Sequence, residues 1–151
     1  MPTFERSIEI AALPEELFDL TQDYERRLLW DPFLKVAELH GDAPNVGVRA
    51  WCVAWHGLGM ETEYVSFNRP HTTAVKMTRG PRLIGQFAGS WRFQPIGTDR
   101  TRVIFRYHVD AAPRWLAWLL NPIMQVIFKH EVKQRLTGLK RAVETTNVLR
   151  R

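Results

Sequence analysis

Hydrophobic and polar positions alternate from residue 3 to residue 11: Phe4, Ile8 and Ile10 fall on one side, Glu5, Ser7 and Glu9 on the other. A two-residue period of this kind predicts a half-buried strand. Pro14-Glu15-Glu16 has the make-up of a first helical turn, with proline at its first position and carboxylates at the positive end of the helix dipole. Leu17, Phe18 and Leu20 supply that helix's apolar side. A second short helix is predicted from Tyr24 to Leu29, stopping before Asp31-Pro32 because a residue ahead of proline is pushed out of the helical region. From Phe33 to Asp110, strands at 34–40, 46–56, 59–68, 72–79, 83–95 and 101–110 are separated by short breaks rich in Gly, Pro and Asp, the pattern of an antiparallel meander. The strand at 83–95 puts Leu83, Phe87, Trp91 and Phe93 on one side, with Gly85 and Gly89 between them. Glycine inside a strand marks a sharp bend or a close approach, so this strand is expected to curve with free space above it. After Ala111-Ala112-Pro113 the period becomes helical, with a short helix at 114–120 and a long one at 122–146, the helix being either restarted or sharply kinked where Asn121-Pro122 reads as a cap and a first-turn proline. The predicted fold class is α+β: a curved antiparallel sheet of about seven strands wrapped around a long C-terminal helix, with two short helices after the first strand.

A chain of 151 residues with 45% hydrophobic and 25% charged side chains fits a single globular domain over 1–151 and excludes a disordered or coiled-coil protein. The lone Cys52 excludes a disulfide framework and a multi-cysteine zinc site. MPTFERSIEI lacks the apolar region of a secretory signal, so a cytoplasmic location is expected. The formal net charge of +5 invites a nucleic-acid reading. Its distribution removes that reading: residues 1–128 carry 14 basic and 14 acidic side chains, and the whole excess lies in 129–151. No nucleic-acid partner is expected of a neutral body without interleaved basic and aromatic positions.

Particular stretches carry a family resemblance. They are Ala11-Ala12-Leu13-Pro14-Glu15-Glu16-Leu17-Phe18-Asp19-Leu20 with Asp23, Trp30-Asp31-Pro32, Asn45-Val46-Gly47-Val48-Arg49, and Val65 through Arg69-Pro70. Gly89-Ser90-Trp91-Arg92-Phe93-Gln94-Pro95, Thr101-Arg102-Val103 and Arg135-Leu136-x-x-Leu139-Lys140-Arg141-x-x-Glu144 complete them. With these residues in this order, the chain resembles the START-like superfamily that includes polyketide cyclases, the SRPBCC or helix-grip fold shared with the birch-pollen allergen. The resemblance spans nearly the whole chain and is specific for fold rather than for a reaction.

That resemblance implies a pocket between the sheet and the long helix, taking a hydrophobic, aromatic or lipid-like small molecule without a cofactor. It implies that Thr62, Tyr64, Ser66 and Asn68 point inward from one strand and Phe87, Trp91 and Phe93 from another. Alternation adds Val103, Phe105, Tyr107 and Val109, and Met124 joins them from the long helix. Such a lining suits a ring-bearing ligand oriented by a few polar contacts. Aromatics on the inner face of a small sheet are equally what an ordinary core contains, and both readings stand at this point. Two other functions are implied: a polyketide cyclase, aromatase or dehydratase using Tyr64, Tyr107 and Arg69, and a lipid or quinone carrier at a membrane. Arg69 lies one step out of the inward parity, so its recruitment requires a bulge. For 46–56 both faces are apolar and the pocket side stays open.

Other chemistry is set aside. There is no His-Glu-x-x-His, no Cys-x-x-Cys and no Gly-rich phosphate loop, and no metal site is expected. Glu61 and Glu63 share the side that parity makes solvated, Cys52 reads as an inert core residue, and His130 as packed or surface. The unusual stretch is 115–128, where 11 of 14 residues are apolar on every side of the helix. It is short of the ~20 residues that cross a bilayer, and a helix apolar all round is expected to be buried on both sides. One side covers the pocket mouth. For the other, a homodimer interface is the first candidate and a peripheral membrane contact, with Arg114 and Lys129 flanking, the second.

Overall fold

The computed structural model describes residues 3–146 and residue 149. The elements in chain order are β1 (Thr3–Ile10), α1 (Pro14–Gln22), α2 (Arg27–Trp30), β2 (Leu34–His40), β3 (Arg49–Ala54), β4 (Gly59–Asn68), β5 (Thr72–Arg79), β6 (Ile84–Ile96), β7 (Arg100–Ala111) and α3 (Arg114–Thr145). The strands form one antiparallel sheet in the order β1-β7-β6-β5-β4-β3-β2, a meander whose last strand returns beside the first. The helix-grip architecture expected from the sequence is the one observed, with α3 packed mainly against β1 and β7.

Local chemistry explains the joints. The Leu13 backbone N–H donates to Glu16 Oε1 at 3.1 Å, closing the start of α1 behind Pro14. α2 stops at Trp30 because Asp31, ahead of Pro32, turns extended. Gly57 takes a left-handed φ of +96° in the β3–β4 turn, a conformation that favours glycine.

The core lies between the inner sheet face and the helices. Ile10, Leu17, Phe18, Leu20, Phe93, Val103, Val109 and Leu139 belong to it. In α3 the fully buried positions are Val132, Leu136, Leu139 and Ala142, one stripe confined to the C-terminal half. Gly138 lets this half approach closely, since a Cβ there would stand 2.7 Å from the Trp30 carbonyl oxygen and 2.8 Å from Pro32 Cδ.

Three expectations about α3 and the sheet are corrected. α3 does not break at Asn121-Pro122 but runs on with Pro122 inside it. The Asn121 side chain caps nothing: its Oδ1 accepts the Ala111 N–H at 2.9 Å and its Nδ2 donates to Asp110 Oδ1 at 3.3 Å, tying the helix to β7. The stretch 115–128 is not buried on both sides, because Trp115, Trp118, Ile123 and Val126 face outward, exposed. The third is Glu61, which is buried on the sheet rather than solvated, held by Thr78, Arg49 and Arg79.

Candidate functional site

β6 and β7 build an aromatic wall under α3. Phe87, Trp91 and Phe93 alternate along β6, and Val103, Phe105, Tyr107 and Val109 along β7, as the two-residue period predicts. Their rings form a continuous chain. Trp91 stacks on Phe93 at 6.1 Å and meets Phe105 edge-on at 4.8 Å; Phe105 stacks on Tyr107 at 5.9 Å. From the helix, Phe128 covers Tyr107 at 6.0 Å and Phe87 at 5.9 Å. The free space expected above Gly89 is filled: a Cβ there would meet Phe105 Cζ at 3.2 Å and Phe87 at 3.6 Å. Under α3, the gap among Trp91, Phe105, Val132, Arg135 and Leu136 is too narrow for a water molecule. A cavity of about 640 Å³ opens elsewhere, between the C-terminal end of α1, β2 and the following loop, over Phe18 and Phe67.

Polar groups are set into this interior at two places. Tyr64 Oη donates to Gln22 Oε1 at 2.7 Å and lies 3.5 Å from Tyr24 Oη. Burial pushes both hydroxyls above the ordinary tyrosine range, so each stays a neutral donor. The second place is Asp31. Its Oδ2 accepts Arg27 Nε at 3.0 Å and Arg135 Nε and Nη2 at 3.1 and 2.9 Å, while Oδ1 accepts the Phe33 N–H at 3.0 Å. Burial alone would raise the Asp31 carboxyl, but the Arg135 and Arg27 guanidiniums outweigh it and hold the group below the usual carboxylate range. Each arginine also lies over rings: Arg27 5.0 Å from Trp30, Arg135 5.1 Å from Phe33 and 5.9 Å from Phe105.

Among the described residues, two buried donors of this interior have no hydrogen-bond partner: Tyr107 Oη, in a residue 1% exposed, and Trp30 Nε1, in a residue 3% exposed. Trp30 meets Trp91 edge-on at 6.1 Å, so the orphan indole belongs to the same aromatic interior. A buried donor left unpaired costs about 1–3 kcal/mol.

The residues singled out from sequence divide into three sets. Tyr64, Trp91, Phe93, Phe105 and Tyr107 are buried and share the interior, with Thr62, Phe87 and Met124 partly buried. Ser66 and Asn68, expected to point inward, are exposed. The reason is a bulge: β4 pairs Tyr64 with Val75 but Ser66 with Ala74, so the extra residue Val65 flips every side chain beyond it. Phe67 takes the inward place, edge-on to Phe18 at 5.2 Å and to Tyr64 at 5.6 Å. The same flip swings Arg69 toward α1, where it forms a bidentate pair with Asp19 at 2.7 Å, exposed and away from the aromatic wall. Tyr64, Tyr107 and Arg69 therefore do not converge: the contacts of Tyr64 are Gln22, Tyr24 and Phe67, those of Tyr107 are Phe4, Phe105 and Phe128. β3 turns Ala50 and Ala54 inward, both buried, with Cys52 between them in the field of Arg27; burial pushes its thiol up. Gln22, Tyr24, Arg27 and Phe67 were not singled out from sequence. Only the clustering of Asp31 with a nearby arginine and tryptophan in Arg27-Leu28-Leu29-Trp30-Asp31 offered a signal.

A family described as "Polyketide cyclase / dehydrase and lipid transport" matches residues 1–144. No curated protein matches the sequence. Solved structures with the same fold include a protein from Thermus thermophilus, with TM-score 0.79, 20% identity, and 94% of this chain and 97% of that one covered. A START superfamily protein from Mycobacterium smegmatis superimposes with TM-score 0.78 at 14% identity, over 94% of this chain and 97% of that chain. An aromatase/cyclase from Streptomyces sp. R1128 does so with TM-score 0.73 at 13% identity, over 95% and 96%. At these identities the likeness is one of fold. The family and fold are consistent with hydrophobic ligand binding or polyketide cyclisation.

Proposed function

The chain belongs to the polyketide cyclase / dehydrase and lipid transport family, and on that premise we propose that it binds an apolar, ring-bearing small molecule between the sheet and α3. The lining would be Trp91, Phe93, Phe105, Tyr107, Phe87 and Met124, with Tyr64 and Thr62 toward the α1 end. The observation that carries this reading is the pair of unpartnered buried donors, Tyr107 Oη and Trp30 Nε1, within an aromatic interior. A flat ligand with ring oxygens offers an acceptor to such donors and stacks on aromatic walls. Entry requires the N-terminal half of α3 to lift. The packing favours that motion, because no residue of α3 before Val132 is fully buried.

Binding is favoured over turnover as the first reading. The three candidates for cyclase chemistry share no contact, and the Arg69 guanidinium is taken up by Asp19. The family's description keeps cyclisation as the second reading, with Tyr107 as the donor to a ligand oxygen.

Thermal shift with 2-hydroxyanthraquinone and with anthracene tests the proposal. A ligand that binds only the folded state raises Tm. Tyr107→Phe should leave the free protein at least as stable, since it removes an unsatisfied donor, and should weaken the oxygenated probe by roughly tenfold, the loss of about one hydrogen bond. Anthracene should be unaffected by the substitution. Equal loss for both probes, or no Tm shift with either, contradicts the proposal.

A further inference from the structure

The outer face of α3's N-terminal half is apolar and uncovered. Trp115, Trp118, Leu119, Ile123, Val126 and Ile127 recur at three- and four-residue spacing, so they form one stripe along one side of the helix. Trp115 and Trp118 are each 75% exposed. The opposite side of the same turns carries Met124 and Phe128 toward the core. The stripe is extended at its start by the β5–β6 turn: the Ala112 N–H donates to the Leu83 carbonyl at 2.9 Å, which sets the exposed Leu83 and its neighbour Arg82 beside the beginning of α3.

The exposed charges along this face are cations, while the carboxylates at its two ends, Asp110 and Glu131, are half-buried. From Ala111 to His130 the sequence contains Arg114 and Lys129 and no carboxylate, and Arg82 adds a third exposed cation at the same end. A second copy docking by two-fold symmetry would bring these cations toward one another with no carboxylate in the stripe to pair them. An anionic lipid surface complements them. Indole rings suit the headgroup boundary, where one edge is apolar and the other wet, and a helix lying in that plane buries its apolar stripe while flanking cations meet lipid phosphates.

We propose that this face, the α3 stripe with Leu83, Arg82, Arg114 and Lys129, docks on the surface of an anionic lipid bilayer. The inference stands on the exposed face alone and does not require a ligand in the interior. If both hold, the element that must lift to open the interior is the one seated on the lipid.

The test uses the full chain with vesicles of equimolar phosphatidylglycerol and phosphatidylcholine, and with phosphatidylcholine alone. Flotation should recover the protein with the anionic vesicles, more weakly at high salt, with a blue shift of tryptophan emission. Trp115→Ser with Trp118→Ser should weaken vesicle binding by roughly tenfold or more while leaving Tm unchanged, since both rings are in water in the free protein. Arg114→Glu with Lys129→Glu should abolish the preference for anionic vesicles. Tyr107→Phe should leave flotation unchanged, which separates this inference from the interior site. Absence of flotation, or flotation indifferent to both double variants, overturns it. So does a stable dimer in sedimentation that the tryptophan variant dissolves, because the occupant is then a second copy.

Discussion

At the scale of single residues, Asp31 ties three elements of the interior together. It fixes Arg27 of α2 and Arg135 of α3 on one oxygen and the chain entering β2 on the other. Removing its charge strands two guanidiniums away from water, and Asp31→Asn should cost about 3–5 kcal/mol in urea denaturation at pH 7. The sign of the pH dependence follows from the depressed carboxyl. Its contribution is complete above the ordinary aspartate pKa of about 4 and is lost as pH falls through the lower folded value, so this part of the acid destabilisation should vanish in Asp31→Asn. Legibility at this scale was uneven. Inward placement of Trp91 and Phe93 follows from the family resemblance, and that of Phe105 and Tyr107 from alternation. Ser66 and Asn68 were misplaced because one bulge at Val65 reverses parity, and no residue there announces it. The joining of Asp31 to Arg135, 104 positions apart, is a tertiary event that local pattern cannot carry.

At the scale of elements, α3 has two halves with different work. Residues 132–142 lock the fold through a buried stripe and the close contact at Gly138; residues 114–131 cover the interior from outside with little fully buried surface. Gly138→Ala tests this division. By helix propensity alone the substitution would stabilise by about 1 kcal/mol. With a Cβ 2.7 Å from the Trp30 carbonyl oxygen, it should instead destabilise, by about 1–3 kcal/mol in the same denaturation measurement. Pattern read the helix's existence and end well and its continuity poorly. Asn121-Pro122 has every mark of a helix start, yet the asparagine is bound to β7 and the helix passes through the proline. The same stretch looked buried on all sides because an apolar sequence does not say whether its outer face has a partner.

At the scale of the whole molecule, the antiparallel meander and the sheet's grip on α3 follow from an element order legible in the sequence, while the register of β4 does not. The volume inside does not follow, since it depends on how side chains settle: rings that read as walls around a space have collapsed into it, and a cavity of about 640 Å³ lies between α1 and β2. The positive charge likewise has a place rather than a global meaning, in a neutral body and a basic final segment. On the proposed function, a ring-bearing ligand enters beneath α3 and not the α1–β2 cavity. An NMR titration with 2-hydroxyanthraquinone, following backbone amides and indole Nε1–H signals, tests it most directly. Large shifts are expected at the buried indoles of Trp30 and Trp91 and along residues 114–131, with small ones at Ala37 to Pro44. Shifts concentrated at Ala37 to Pro44, with the Trp30 and Trp91 indoles unmoved, would contradict it.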